Sequence, residues 1–424
     1  MEKRNPWAWV PSLYFAEGLP NVIVTVVAMV MYKQFGLSNG EITFYTTWLN
    51  LPWLLKPVWS PFVDIIKTKR WWILSMQLLL GASLAGVAFT IPTTWWFQLT
   101  MFFFFVMAFS SATHDIAADG FYMLGLSQHD QSLFVGIRST FYRIAMVFGQ
   151  GVLVMVAGNL QVLFRGNIRY SWCLTFYGVA GIFVGLWLWH RFILPQPEAD
   201  STVMSAAGRS NGIMHEFKHT IVTFYHKPHF WTAVAFMLLY RLPEGFLVKI
   251  TPLFLIDSAQ NGGIGLSPQE LGMASGTVGV IGLVLGGILG GIAVAQGGLK
   301  KWLWPMVCAI TLPDIVYVYL SYSLTGNIFI ISSCLFVEQF GYGFGFTAYM
   351  MYLIYFAQGE YKTSHYALCT ALMTLSLMIP GFVSGAIQQQ LGYRLYFVTV
   401  MFTCLVTFGV AAMVKIDADF GRKK

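Results

Sequence analysis

Apolar stretches of roughly 20–30 residues, each long enough to cross the hydrocarbon core of a bilayer, recur along the whole chain with short polar breaks between them. Twelve are read: Trp7 to Lys33, Glu41 to Ile65, Trp71 to Ile91, Trp95 to Leu124, Leu133 to Gly158, Tyr170 to Leu194, His229 to Ile256, Ser267 to Ala295, Trp302 to Tyr322, Asn327 to Phe356, His365 to Leu391 and Leu395 to Val414. Backbone N–H and C=O groups find no water in that core, so each stretch is predicted to be a helix. The fold class expected is an all-α membrane protein of twelve transmembrane helices.

One polar break is longer than the rest. Pro195 to Lys227 carries Asp200, Ser201, Ser205, Gly208, Ser210 and several histidines, and it divides the spans six and six. The organisation expected is an N-terminal six-helix bundle over 1–194, a cytoplasmic linker over 195–228 and a C-terminal six-helix bundle over 229–424. An internal match supports two pseudo-symmetric halves: Glu17-Gly18 in span one recurs as Glu244-Gly245 in span seven, with Pro20 and Pro243 close by. The same offset carries Asp64 to Gly291, and both positions lead into short basic loops, Lys67-Thr68-Lys69-Arg70 and Lys300-Lys301. Parallel six-span repeats of this kind belong to secondary transporters working by alternating access.

Composition agrees, since hydrophobic residues make up 57% of the 424 and charged ones only 10%, too few to clothe a water-soluble surface. Cys173, Cys308, Cys334, Cys369 and Cys404 fall inside spans without metal-ligand spacing, so neither a disulfide framework nor a metal site is expected. Span one is too long for a signal peptide and is expected to be retained. With both termini cytoplasmic, that side holds sixteen lysines and arginines, from Lys3 and Arg4 through the Lys67 to Arg70 cluster to Lys423 and Lys424. The other side holds Lys33, Arg165, Arg169 and Arg394. This asymmetry is the positive-inside pattern, and the net charge of +7 needs no nucleic-acid partner to explain it.

Charges inside the spans are the candidate chemistry, because an ionised group at membrane depth costs at least ~2.5 kcal/mol unless it meets a partner or water. Glu17, Lys56, Asp115, Asp119, Arg138 and Arg143 lie in the first half; Arg241, Glu244, Lys249, Asp314 and Glu338 lie in the second. Spans four and five form a hairpin in which Asp119 sits level with Arg138, and Asp115 with Arg143, giving a shallow and a deep carboxylate–guanidinium level. The shallow one reads as a gate or clamp, the deep one, with Glu17 and Lys56, as a solute site. Arg241, Glu244 and Glu338 make a second cluster. Two internally neutralised structural networks are the alternative reading. Glu17 and Glu244, each beside Gly and Pro, are the first choices for carrying a proton, while Arg143 or Arg241 suits a substrate carboxylate. Lys249 is expected to snorkel outward, Asp314 to serve a broken backbone turn, and Tyr349 of span ten to line a cavity. Ser60-Pro61-Phe62-Val63-Asp64 and the basic residues Lys67, Lys69 and Arg70 read either as a cytoplasmic gate, together with Asp119 and Arg138, or as ordinary flanking charges.

Four ordered motifs carry a family likeness: Gly18-Leu19-Pro20; Lys56-Pro57-Val58-Trp59-Ser60-Pro61 with Asp64; Asp115-Ile116 with Asp119; and Tyr142-Arg143 with Met146. In these the chain resembles the AmpG-type muropeptide permeases of the major facilitator superfamily and, more distantly, the acetyl-coenzyme A transporters. His114 departs from the glutamine expected before Asp-Ile. The resemblance implies a major facilitator fold in the bacterial inner membrane. It implies proton-driven import of N-acetylglucosaminyl-1,6-anhydro-N-acetylmuramic acid and its peptides for cell-wall recycling; no cofactor beyond the proton gradient is expected, and a monomer is the default expectation. Import of another anionic sugar or a nucleotide-like metabolite is the alternative. A membrane-embedded transferase would need an acid–base or metal constellation of His and Asp that the spans do not offer, so an enzyme is not expected.

Overall fold

The computed structural model describes residues 5–126, 128–196, 221–359, 362–417 and 420–421, without the side chains at 61, 62, 64, 65, 128–133, 135, 136 and 362–364. Of the linker expected over 195–228, residues 197–220 lie outside those described. Among those described, every regular element is helical. Helix α1 is Pro6–Gln34, α2 Asn39–Trp48 and α3 Leu51–Ile65, α4 Lys69–Thr90 and α5 Trp96–Gly125. Helix α6 runs from Gln128–Val147 through a widened turn, Phe148–Leu153, into Val154–Leu163, and α7 is Ile168–Ile193. Then follow α8 Phe230–Leu239, α9 Leu242–Ile256, α10 Pro268–Gly297, α11 Leu299–Ser323, α12 Ile328–Ala357 and α13 Lys362–Met413.

Nine helices among the described residues are long and apolar enough to cross a membrane. One of them, in α13, turns at Gly392, whose φ of 71° lies in the left-handed region, and so supplies two crossings. The remaining two crossings are broken helices. Span two breaks at Leu49 and Asn50, just before Leu51-Pro52, and span seven at Tyr240 and Arg241, just before Leu242-Pro243. A proline has no N–H to donate to a preceding turn, a lack that costs nothing in the first turn of a helix, and it is there that each helix restarts. Asparagine and threonine side chains open others: Thr68 accepts from Trp71 N at 3.1 Å at α4, and Asn167 from Tyr170 N at 3.1 Å at α7.

The chain forms two compact units, and they are not contiguous in sequence: 1–35 with 49–214, and 36–48 with 215–424. In the first, α1 packs on α5 and α6, and α4 on α5 and α7. In the second, α12 packs on α10 and α11, and α13 on α8, α9 and α2. Helix α2 sits in the second unit through polar contacts. Asn39 donates to Gln388 at 2.8 Å and to Tyr393 at 2.7 Å, and Gly385 N donates to Thr43 Oγ1 at 3.2 Å. Lys249 does not snorkel outward as expected; it is buried, 4% exposed, and its Nζ donates to Thr46 Oγ1 of α2 at 3.2 Å. The outward reading assumed that a lone lysine near a span end finds only solvent, whereas a threonine distant in sequence receives it.

A second internal repeat emerges at the starts of α2 and α10. Gly36-Leu37-Ser38 and Gly265-Leu266-Ser267 each have a left-handed glycine, at φ 91° and 79°. Each serine hydroxyl accepts its helix's third N–H at 3.3 Å, from Glu41 and from Glu270. Each glutamate accepts the serine N–H in return, at 3.0 Å and 2.9 Å. These are reciprocal capping boxes. Close packing in the second unit depends on glycine: a methyl at Gly286 of α10 would lie 2.0 Å from Phe340 O, and one at Gly343 of α12 would lie 2.2 Å from Leu283 O.

Candidate functional site

In the first unit, four helices bring charges together. Glu17 sits mid-way along α1, held against α6 by small residues: a methyl at Gly18 would meet Tyr142 O at 2.8 Å, and one at Gly149 would meet Val22 at 2.2 Å. Asp115 and Asp119, one turn apart on α5, face it, and an oxygen of each of the three carboxylates lies within 4.8 Å of the others. Lys56, from α3, pairs with Asp115. Arg138, from α6, reaches Asp119 at 2.8 Å and stacks over Tyr14 at 4.5 Å. Tyr14 donates to the same Asp119 oxygen at 3.1 Å. Glu17 is 7% exposed and its Oε2 has no hydrogen-bond partner. The two levels expected from the hairpin are therefore one nest, because α1 brings Glu17 between them and Lys56 fills the place beside Asp115. Arg143 follows Arg138 along α6 and is itself engaged.

The other residues read as a gate are Lys67, Lys69, Arg70 and Asp64. Lys67 is exposed, Lys69 is buried with its stem against Gly120 of α5, and Arg70 donates to the carbonyl of Arg191 at 2.5 Å. The side chain of Asp64 lies outside those described.

In the second unit, the break between α8 and α9 is the organising feature. It frees backbone carbonyls that distant side chains satisfy: Tyr349 donates to Met237 O at 2.6 Å, and Thr407 to Tyr240 O at 3.0 Å. Arg241 stands at the break, 5% exposed. Its guanidinium donates to Tyr342 and lies 4.7 Å from the ring centre of Phe346, 5.5 Å from that of Tyr342 and 5.7 Å from that of Tyr349. The three rings form a stacked ladder, with neighbouring centroids 5.6 and 5.9 Å apart. Arg241 Nε has no hydrogen-bond partner. Glu244 opens α9 one turn on, within electrostatic reach of Arg241 and Glu338. Glu338 accepts from Tyr317 at 2.7 Å and from Gln339 at 2.9 Å. Tyr349 is fully buried with its hydroxyl occupied, so it offers Arg241 a ring face. Asp314 is buried in the short turn that breaks α11, near the Cys404 thiol.

The fold and these two sites can be set beside known proteins. The Major Facilitator Superfamily profile matches residues 12–367. The chain belongs to the Major Facilitator Superfamily. Within it, the anhydromuropeptide permease of Escherichia coli (strain K12) is 22% identical over 401 residues, covering 91% of this chain and 74% of that protein. The putative transporter AmpG 4 of Rickettsia conorii is 25% identical over 404 residues, covering 91% and 90%. Among solved structures, a D-xylose–proton symporter superposes with a TM-score of 0.69 at 12% identity, covering 98% of this chain and 97% of that one. The nucleoside transporter NupG gives 0.68 at 14%, covering 98% and 100%. This member of the superfamily is thus a multi-pass membrane transporter, not an enzyme, and it is similar to AmpG-type proteins at 22–25% identity.

Sequence reasoning missed one polar group of this superfamily member. In the first unit, Gln77 of α4 bridges His114 of α5, at 3.1 Å, and His190 of α7, at 2.8 Å, and His190 continues to Ser12 at 2.9 Å. The signal was available: a glutamine and two histidines inside apolar spans need partners as buried charges do.

Proposed function

We propose that this transporter is a proton-coupled importer of anhydromuropeptides, N-acetylglucosaminyl-1,6-anhydro-N-acetylmuramic acid and its peptides, in the bacterial inner membrane with both termini cytoplasmic. The observation that carries the coupling is Glu17: a buried carboxylate oxygen without a partner, crowded by Asp115 and Asp119 while Lys56 and Arg138 each hold an aspartate. A proton taken by Glu17 removes its charge and makes that oxygen a hydroxyl able to donate to a neighbouring aspartate, and its release restores the crowding. Pro20 and the widened turn Ile23–Val27 interrupt the regular helix just beyond Glu17, which lets α1 bend as the charge changes.

The substrate reading rests on the two named relatives and on Arg241. An anhydromuramic acid carries a carboxylate on its lactyl group, or further carboxylates along its peptide. A guanidinium that is buried, pre-stacked on three rings and short of a partner at Nε suits such a group. Aromatic faces beside it suit a sugar ring. The test is uptake of labelled anhydro-disaccharide by proteoliposomes holding the purified chain, with and without an inward proton gradient. Accumulation only with the gradient is the expected result. No accumulation, while another anionic sugar or a nucleotide accumulates, overturns the substrate assignment; accumulation indifferent to the gradient overturns the coupling.

A further inference from the structure

Away from both charged sites, the first unit has a pocket of about 510 Å³ where α4 begins and α7 ends. Its lining combines two arginines, Arg70 and Arg191, with an apolar flank that includes Trp71, Leu78, Trp187 and Phe192, and among the described residues it contains no carboxylate. The flank faces outward: Trp71 is 45% exposed, Leu78 43% and Phe192 70%. A soluble anion would leave that surface uncovered. Arg70 donates to the Arg191 carbonyl at 2.5 Å, tying the arginines together at the last turn of α7. The Arg191 guanidinium stacks 5.4 Å from the centre of the Trp187 ring, a contact that uses its face and leaves its edge donors for an anion. The N-terminus of α4, a helix of 22 residues, adds positive potential beside them. The pocket lies at the ends of two spanning helices, where hydrocarbon gives way to headgroups and tryptophan concentrates.

We infer that this pocket binds one anionic phospholipid, its phosphate between Arg70 and Arg191 and an acyl chain along Leu78 and Phe192. The motif that contributes Lys67, Lys69 and Arg70 thereby gains a use other than gating. The assignment stands independently of the muropeptide reading, since it concerns a different face and a different ligand.

Native mass spectrometry of the purified full chain, offered equal amounts of dioleoyl phosphatidylglycerol and dioleoyl phosphatidylcholine, tests it. One phosphatidylglycerol retained in preference is expected, with retention falling about fivefold for Arg191→Gln and about as much again for Arg70→Gln/Arg191→Gln. Arg169→Gln, which removes a charge stacked on Trp96 and Phe35 instead, should retain the lipid unchanged. Should the double variant not fold, Leu78→Trp, at an exposed position, fills the acyl track while keeping both charges and is expected to lower retention as well. Equal retention of the two lipids, equal loss in Arg169→Gln, or full displacement by inorganic phosphate would each overturn the proposal, the last by marking a soluble-anion site.

Discussion

Gly286 of α10 makes the sharpest test of how the second unit is held together. A methyl added there meets the Phe340 carbonyl oxygen of α12 at 2.0 Å, while one added at Gly291, on the same helix, meets nothing within 4 Å. Carbon and oxygen need roughly 1 Å more than that contact gives, and a gap of about 1 Å along a packed seam forfeits a quarter to a half of its dispersion energy. The obstacle is backbone, not a side chain that can swing aside, so the expected cost is the upper part of the ~1–3 kcal/mol typical of overpacking. Alanine also gains up to ~1 kcal/mol over glycine in helix propensity, and this gain is common to both positions. The difference between Gly286→Ala and Gly291→Ala therefore isolates the seam, at about 2–3 kcal/mol. Reversible unfolding of the two variants by sodium dodecyl sulfate titration in mixed micelles, followed by tryptophan fluorescence, measures it. Equal unfolding free energies would refute the reasoning, because then small residues would not be setting the approach of α10 to α12.

Further outcomes are expected. Glu17→Gln should abolish gradient-driven accumulation of the anhydro-disaccharide yet spare its counterflow; retained accumulation would move the coupling site elsewhere. A double-mutant cycle of Lys56→Met and Asp115→Asn should give a coupling of about 1–2 kcal/mol, modest because the two side chains are 29% and 18% exposed, and a coupling of zero would deny the pair an energetic role. Arg241→Lys keeps the charge but loses the planar fork and much of the stacking, so KM for the disaccharide should rise about tenfold; an unchanged KM in uptake assays would count against Arg241 as a substrate contact. Ser267→Ala should lower stability by about 1 kcal/mol in the same titration while Ser267→Asp preserves it, since only the former removes the cap from α10.

The charged nest of the first unit was legible in outline because charges are rare in apolar spans and each needs an explanation. Asp119 and Arg138 lie on consecutive helices, where hairpin arithmetic fixes which residues are level. Lys56 and Asp115 are joined by no such rule, and their pairing appears only when α3 and α5 are placed. The same limit explains Lys249, whose receiving threonine lies on α2, 203 residues earlier in the chain. Arg241 was visible as a buried charge, but not its station at a helix break: Pro243 announced the break, and the satisfaction of Met237 and Tyr240 carbonyls by Tyr349 and Thr407 depends on tertiary contacts. The twin Gly-Leu-Ser capping boxes were open to a sequence reading, as a composite of turn glycine, cap serine and returning glutamate.

The membership of α2 in the second unit bears on how the protein is made. Asn39 emerges from the ribosome long before Gln388, its hydrogen-bond acceptor 349 residues downstream, and at about 5–20 residues per second the interval is roughly 15–70 s. For that time Asn39 and Thr43 wait at the membrane with the partners they meet on α13 unsynthesised, while Thr46 waits only for Lys249. Docking of this half-helix is therefore a late event in assembly, and a ribosome stalled before α13 leaves a nascent chain whose first unit can be complete while α2 still lacks its seat.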